Sequence, residues 1–256
     1  MLRPGQTGFA SDSRFFPWQL PAMIFNHFDR IRVVSLPHRM DRRSEMLAQF
    51  DRVGLRDDAR IEFFDALSFS DPGPFLRRGS HGNFKSRIPL LREAGEAGES
   101  ILIFEDDCDF RVPQILEYEL PAEWDIFYGG FTASHPQYPA DSQIIGSHFM
   151  GFSPRAAKAA AEYLAAYLEP NFPPDPRAAS EPGFDPAIKP PIDGAFVWFR
   201  RSRPDLVTVF ANLGYQRSSR TDVGAKKWFD RIIGVRNLVG IARRLRERAR
   251  ASSSTA

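Results

Sequence analysis

The segment from Ile101 to Phe110 reads ILIFEDDCDF, and its two parts have opposite chemistry. Residues 101–104 are four consecutive large apolar side chains, which is typical of a short buried strand. Residues 105–107 are three consecutive carboxylates. In an open α/β sheet, ligands bind in the crevice beyond the carboxyl ends of the strands. The segment therefore predicts a central buried strand with an acidic site at its end.

The acidic residues Glu105, Asp106 and Asp107 repel one another, and holding them together is costly unless a cation or hydrogen-bond donors compensate them. Oxygen ligands suit a hard divalent ion such as Mn²⁺ or Mg²⁺, which keeps other positions open for phosphate oxygens. Such an ion would neutralise the charge that develops when a nucleoside diphosphate leaves. We therefore expect a metal site here; the alternative is a solvated acidic turn, which is common after strands.

Short apolar runs and segments of helical spacing alternate on both sides of this strand. The alternation predicts an α/β fold with a mostly parallel, Rossmann-like sheet between layers of helices. The predicted strands are 31–36, 61–64, 101–104, 124–128, 147–152 and 206–210. The predicted helices are 39–53, 84–94 and 153–168.

The remaining segments divide the chain into three parts. Residues 1–29 mix Pro, Gly and Ser with aromatic residues and predict an irregular N-terminal extension. Residues 30–225 form the predicted main domain, in which the proline-rich stretch 169–191 predicts an ordered loop or a mobile lid without regular elements. Residues 226–256 combine arginines with a helical apolar period, which predicts a basic amphipathic C-terminal helix and tail.

Composition limits the classes of function. The 256 residues are 43% hydrophobic and 26% charged, as in ordinary globular proteins, and the net charge of +2 argues against a bulk nucleic-acid binder. The single cysteine, Cys108, excludes an internal disulfide, and we find neither a secretory signal nor an apolar run long enough to cross a bilayer. We therefore expect a cytoplasmic protein. The basic helix at 226–250 either contacts an anionic membrane surface or docks on the protein.

A basic turn follows the first predicted strand. Arg39, Arg42 and Arg43 lie at the predicted start of the first helix, where cations oppose the helix macrodipole. A bound phosphate would reverse that effect, because the helix amides and the guanidinium groups both favour an anion. This pattern indicates a nucleotide contact; the alternative is that the arginines face water or pair with Asp41 and Glu45.

Several segments together carry a resemblance to a known family. In order and approximate spacing, they resemble glycosyltransferase family 25, the lipooligosaccharide galactosyltransferases and their collagen-modifying relatives. The segments are IRVVSLPHRMDRRSEM (31–46), GNFKSRIPLLREA (82–94), ILIFEDDCDF (101–110), WDIFYGG (124–130), SHFMGFSPRAAKAAAEYL (147–164) and QRSSRTDV (216–223). The resemblance implies a nucleotide-diphospho-sugar transferase fold of type A, a divalent metal, a UDP-sugar donor, commonly UDP-galactose, and inversion at the anomeric carbon.

The resemblance also implies positions for the nucleotide and the metal. Carried over by position, it places the nucleotide near Leu36, Arg39 and Arg43, and the metal at residues 105–107. Residues 30–225 would then be the catalytic domain. The acceptor would be a saccharide or a glycolipid, which a membrane-bound tail would help to reach.

One segment departs from the family pattern. Where the family has Gly-Cys-x-x-Ser-His, this chain has Gly82-Asn83-Phe84-Lys85-Ser86-Arg87, so the cysteine and the histidine are both replaced. From their positions in this motif, we expect Ser86 and Arg87 to contribute to the nucleotide-sugar site; Ser80-His81 just upstream is an alternative source of the missing histidine. The change also leaves open a different sugar, a different acceptor or a lower activity.

Inverting transfer requires a base for the acceptor hydroxyl. Asp193 is the first candidate, because it follows the proline-rich stretch and precedes Gly194, which allows a substrate to approach closely. Asp222 is the second candidate, and both match later acidic positions of the family. His148 is a candidate ligand of the metal or the diphosphate; the alternative is a core histidine.

The sequence supports one leading function and two others. The first is an inverting, metal-dependent transfer of a hexose, most simply galactose, from a UDP-sugar. The second is a catalytically degenerate protein of the same fold that binds a sugar nucleotide or acts as a scaffold. The third, a metal-dependent phosphohydrolase, lacks a second cluster of metal ligands in the sequence.

Overall fold

The computed structural model describes residues 24–217. The candidate base Asp222 and the predicted basic helix at 226–250 therefore lie outside the described residues, as do residues 1–23 of the predicted extension. Within the described residues, no helix is both long enough and apolar enough to cross a membrane.

Strands and helices alternate over residues 30–105, as the sequence predicts, whereas further along the described chain some strands follow strands and some helices follow helices. The strands are β1 (Arg30–Ser35), β2 (Ile61–Asp65), β3 (Ile101–Glu105), β4 (Cys108–Phe110), β5 (Ile126–Ala133), β6 (Ile144–Phe152), β7 (Thr208–Phe210) and β8 (Gly214–Gln216). The helices are α1 (Met40–Arg52), α2 (Arg78–Ala97), α3 (Gln114–Glu117), α4 (Pro154–Tyr167), α5 (Pro176–Ala179) and α6 (Ile192–Ser202). Two 3₁₀ turns lie at Ile24–His27 and Pro139–Asp141.

Six strands form the main sheet in the order β2-β1-β3-β6-β5-β7, and β4 pairs separately with β8. The β1–β2, β1–β3 and β5–β7 pairs are parallel, whereas β6 runs antiparallel to β3 and β5. The prediction of a mostly parallel α/β sheet is thus confirmed. The antiparallel β6 was not predicted, and it brings the beginning of that strand to the edge where β1 and β3 end.

Register fixes which residues meet at this edge. Val34 of β1 pairs with Glu105 of β3, and Phe104 pairs with Phe149 of β6. Because residues 105–107 follow β3 directly, they lie beside the turn that follows β1 and beside His148, which precedes Phe149 in β6.

Helix α2 is longer than the predicted 84–94 segment, because glycines at its start weaken the sequence signal. One of them, Gly82, has a steric reason: a Cβ atom there would lie 2.3 Å from the carbonyl oxygen of Leu67. Near the other end of the helix, Gly95 lets α2 approach α4, since a Cβ atom there would lie 2.6 Å from the backbone of Lys158. Close packing of α2 on the alanine-rich α4 covers one face of the sheet.

Other parts of the chain also differ from the sequence prediction. Ile24, Phe25 and Phe28 are buried in the core around α1, so the irregular extension expected as far as residue 29 ends earlier. The stretch 169–191 was expected to contain no regular element, yet it contains α5, which Asp175 caps through its side chain. The strand predicted at 206–210 is shorter and is followed by a further strand, β8.

Candidate functional site

The acidic turn after β3 lies at the sheet edge predicted for it, and it is not a solvated turn. Asp106 and Asp107 are 6% and 5% exposed, and the side chain of Glu105 is 19% exposed. Each of the three carboxylates has a different set of partners.

Glu105 belongs to a buried polar network on α2 and β6. Its Oε1 accepts hydrogen bonds from Arg87 Nη2 at 2.8 Å, Asn83 Nδ2 at 3.1 Å and Ser147 Oγ at 2.9 Å. Burial alone would raise the pKa of Glu105, but the Arg87 charge and these donors hold it below its usual value. Arg87 is only 1% exposed, so this ion pair is shielded from solvent.

Removing Arg87 should therefore destabilise the protein strongly. We expect Arg87→Met to lower the free energy of unfolding by about 3 kcal/mol, because a partly buried carboxylate then lacks its counter-charge. Urea denaturation at neutral pH measures the change, with the exposed Arg92→Gln on the same helix as the control. Adding Glu105→Gln should restore part of the loss. A loss no larger than that of the control would refute this account.

Asp106 is held by the turn and helix that follow β1. Its Oδ2 accepts a hydrogen bond from Ser35 Oγ at 2.8 Å, and its Oδ1 accepts one from Arg42 Nη1 at 2.7 Å. Asp106 therefore joins the end of β3 to the start of α1, and both of its oxygens have donors.

Asp107 is less well compensated. Its Oδ2 lies 3.5 Å from Arg42 Nη1 and accepts a hydrogen bond from Gln216 Nε2 at 3.2 Å, but its buried Oδ1 has no partner among the described residues. Burial, together with the charges of Glu105 and Asp106, raises the pKa of Asp107 to about 7. The carboxylate thus lies where a proton or a cation would stabilise it.

His148 occupies a tight space beside the same edge. The ring is buried, and neither ring nitrogen has a hydrogen-bond partner among the described residues. Burial lowers the pKa of His148, which favours the neutral imidazole. Two glycines make room for the ring: a Cβ atom would lie 2.4 Å from Nε2 at Gly130 and 3.0 Å from Nδ1 at Gly146.

Asp193 lies in the first turn of α6, close to Glu105 and to the early residues of β6. Its Oδ2 accepts a hydrogen bond from the Gly146 amide at 3.2 Å. Burial and the charge of Glu105 raise the pKa of Asp193. Glu105 therefore lies close to both His148 and Asp193, two sequence-predicted residues that are far from it in the chain.

The basic turn is divided between the site and local ion pairs. Arg39 forms an ion pair with Asp41, in which Arg39 Nη2 lies 2.8 Å from Asp41 Oδ2. For Arg39, this is the local pairing that the sequence analysis gave as the alternative to a nucleotide contact. Arg43 pairs with Asp65 at the end of β2, and its Nη2 lies 3.3 Å from the carbonyl oxygen of Ser35. Arg42, which belongs to the predicted basic turn but was not among the positions that the family resemblance assigns to the nucleotide, is the arginine that reaches the acidic turn.

Two of the expected nucleotide-binding residues have contrasting positions. Leu36 is half-buried immediately after β1, at the edge of the site. Ser86 is completely buried, and its hydroxyl donates to the Gly82 carbonyl at 2.7 Å and accepts from the Leu67 amide at 2.9 Å. These bonds commit the Ser86 hydroxyl to the loop before α2, so the structure does not bring it to a ligand surface.

The end of β8 lies across the acidic turn. The Arg217 amide donates to the Asp107 carbonyl at 2.8 Å, and Arg217 Nη2 donates to the Asp106 carbonyl at 2.9 Å. The sequence reasoning missed Arg217, Gln216 and Asn83, because each acts through a distant pairing that spacing cannot reveal. Arg42 could be predicted from the sequence, since it lies in the first turn of α1, which begins beside the site.

The metal remains a prediction. In residues 24–217, no group of three or more His, Cys, Asp or Glu side chains is arranged to hold a metal ion. The unpartnered Oδ1 of Asp107 and the unpartnered nitrogens of His148 are the atoms that fit one. A magnesium-type ion that also binds substrate phosphates needs only one or two protein carboxylates.

Comparisons with known proteins give little further support. No protein-family model and no curated protein matches the chain. One solved structure that is similar is the crystal structure of a glycosyltransferase involved in the glycosylation of the major capsid of PBCV-1. It is 10% identical and covers 75% of this chain and 95% of its own, with a TM-score of 0.43. A likeness this low carries no argument about function.

Proposed function

We propose that this protein is an inverting glycosyltransferase that transfers a hexose, most simply galactose, from a UDP-sugar to a saccharide or glycolipid acceptor. The observation that carries the proposal is the under-compensated Asp107 at the carboxyl edge of the sheet, with a buried, unpartnered oxygen and a raised pKa. The order of the sequence segments that resemble glycosyltransferase family 25 supports it.

Asp107 would hold a divalent cation, Mn²⁺ or Mg²⁺, with His148 as a second candidate ligand. When bound, the ion would neutralise charge on the donor diphosphate as the nucleotide leaves. Asp106 would be a poorer ligand for the cation, because its two carboxylate oxygens already accept hydrogen bonds from Ser35 and Arg42.

Arg42 would orient the acidic turn and add positive charge near the diphosphate. Its guanidinium lies between the carboxylates of Asp106 and Asp107, 2.7 and 3.5 Å away, so it is fixed before a ligand arrives. Fixed donors stabilise developing charge without having to reorganise during the reaction.

Asp193 would accept the proton of the acceptor hydroxyl. Burial raises its pKa, which makes its carboxylate a stronger base than an exposed aspartate. The Gly146 amide holds one carboxylate oxygen in position. Transfer would then proceed by direct displacement, with the attacking hydroxyl on the face of the sugar opposite the nucleotide.

A nucleotide-release assay on the full chain tests the proposal. We expect UDP to be released slowly from a UDP-sugar by hydrolysis when Mn²⁺ is present, faster when an acceptor sugar is added, and not at all with EDTA. Asp57→Asn, at an exposed carboxylate, serves as the control and should retain the activity. If calorimetry showed that UDP binds but no UDP-sugar and no acceptor gave turnover, the result would instead favour a catalytically degenerate protein that only binds the sugar nucleotide. Absence of nucleotide binding, with and without metal, would refute both.

A further inference from the structure

A second polar cleft lies away from the acidic turn. It has a volume of about 560 Å³ and lies between the 3₁₀ turn at Pro139–Asp141, α5, the C-terminal end of α6 and the start of β7. The charged side chains that line this cleft are mostly positive. Four arginines and two aspartates face it: Arg177, Arg200, Arg201, Arg203, Asp141 and Asp175.

Arg200 is the unusual member of this lining. It is only 7% exposed, and among the described residues it forms no ion pair with a carboxylate. Its Nη1 donates to the Ala140 carbonyl at 2.5 Å, and its guanidinium stacks on Phe210 at 5.1 Å from the ring centroid. Burial lowers the pKa of Arg200, and the neighbouring Tyr128 and Asp141 offset that effect only in part.

Other polar groups on the same wall also lack partners. Among the described residues, Arg200 Nε, Arg201 Nε and Thr208 Oγ1 are buried and have no hydrogen-bond partner. All three residues line the cleft. Three unsatisfied polar groups around one opening are unusual, because buried polar groups are nearly always hydrogen-bonded.

The two aspartates are already engaged. Asp175 caps α5 by accepting from the Arg177 and Ala178 amides, and it lies 3.2 Å from Arg201 Nη1. Asp141 lies 3.6 Å from Arg177 Nη1 and is largely exposed. Asp141 acts on Arg200 only from beyond ion-pair distance, so within the described part of the chain the positive charge of Arg200 is incompletely compensated.

We infer that this cleft binds a phosphate group, either as free inorganic phosphate or as the phosphomonoester of a larger molecule. Arginine forks match phosphate oxygens with two parallel hydrogen bonds, and the Thr208 hydroxyl can donate a further one. The volume leaves room for a substituent on the phosphate. Asp193 and Arg200 are seven residues apart on α6, which places this site roughly 10 Å along the helix from the candidate base. The inference does not depend on the proposed transferase activity.

Calorimetry on the full chain at constant ionic strength tests the inference with two probes, inorganic phosphate and glucose 6-phosphate. We expect both to bind, and we expect Arg201→Gln to raise the Kd about tenfold, the loss of roughly one good contact. Thr208→Val should raise it by a smaller factor. Arg92→Gln, an equal charge change at an exposed position of α2, should leave the Kd unchanged. Tighter binding of glucose 6-phosphate would identify an ester as the ligand, and equal binding would identify free phosphate.

Two results would overturn the inference. One is the absence of binding by the wild-type protein at millimolar phosphate. The other is binding that neither Arg201→Gln nor Arg203→Gln weakens, which would place the phosphate elsewhere. Arg203 is partly exposed and pairs with Asp205 two residues further along the chain, so its variant remains informative if Arg201→Gln does not fold.

Discussion

Asp107→Asn is expected to abolish the metal-dependent release of UDP while making the ligand-free protein more stable at pH 8. The loss of activity follows from the proposed role, because a neutral amide is a poor ligand for a hard divalent cation. We expect release to fall by at least about a hundredfold, a loss typical for removing one group that stabilises developing charge. The assay described above measures it, with Asp57→Asn as the control.

The gain in stability follows from the pKa of Asp107. Its ordinary value is 3.8 and burial raises it to about 7, so the folded protein binds this proton more tightly than the unfolded chain does. Stability from this group is therefore present at low pH and is lost as pH rises from about 4 to above 7. Asparagine avoids that loss, and we expect a gain of roughly 2 kcal/mol at pH 8 and little difference near pH 4.

Asp106→Asn provides the matched comparison, because it makes the same change one residue away. Asp106 accepts from Ser35 and Arg42, so removing its charge leaves Arg42 less compensated and should lower stability at pH 8. Urea denaturation of the wild type and the two variants at pH 4 and pH 8 measures both effects. Equal destabilisation by the two substitutions would show that Asp107 is an ordinary structural carboxylate.

Asp193→Asn is expected to lower kcat for transfer by about 10²- to 10⁴-fold, the usual range for loss of a general base. The KM for the UDP-sugar should change little, because the Gly146 amide can still donate to the amide oxygen of asparagine. In the wild type, burial raises the pKa of Asp193, so the rate should increase with pH as this carboxylate loses its proton. That limb of the pH profile should be absent from the variant.

Steady-state kinetics with a saccharide acceptor, measured between pH 5 and 9, test this prediction. Asp185→Asn changes an exposed aspartate in the preceding proline-rich stretch and should behave as wild type. If Asp193→Asn retained a wild-type kcat and pH profile, the base would have to be another group. Asp222, the second candidate, would then be the next residue to replace.

The sequence predicts the sheet and the acidic edge because both depend on short, local patterns. A run such as 101–104 is apolar at every position, which is the pattern of a buried strand, and the carboxylates follow without a break. The partners of these carboxylates were harder to predict. Arg42, Asn83 and Gln216 reach the acidic turn only through the packing of α1, α2 and β8, and no spacing along the chain encodes those distances.

The beginning of α2 shows the same limit. Helix propensity disfavours glycine, so Gly79 and Gly82 concealed the first turns of the helix. The contact of Gly82 with the Leu67 carbonyl, which makes glycine necessary there, arises only when α2 packs against the loop after β2. Conversely, Ser86 was expected near the nucleotide from its position in a motif, but its hydroxyl is used inside that packing.

The reversed direction of β6 has a consequence for which length changes the site can tolerate. Its first residues, including Ser147 and His148, meet the end of β3, and successive residues of a strand point to opposite faces of the sheet. Deleting one residue between His148 and Phe152 would exchange the orientations of Ser147 and His148 and separate both from their present surroundings. Inserting residues in the surface connection 134–143 would leave that alternation intact, so natural variation in length should accumulate there.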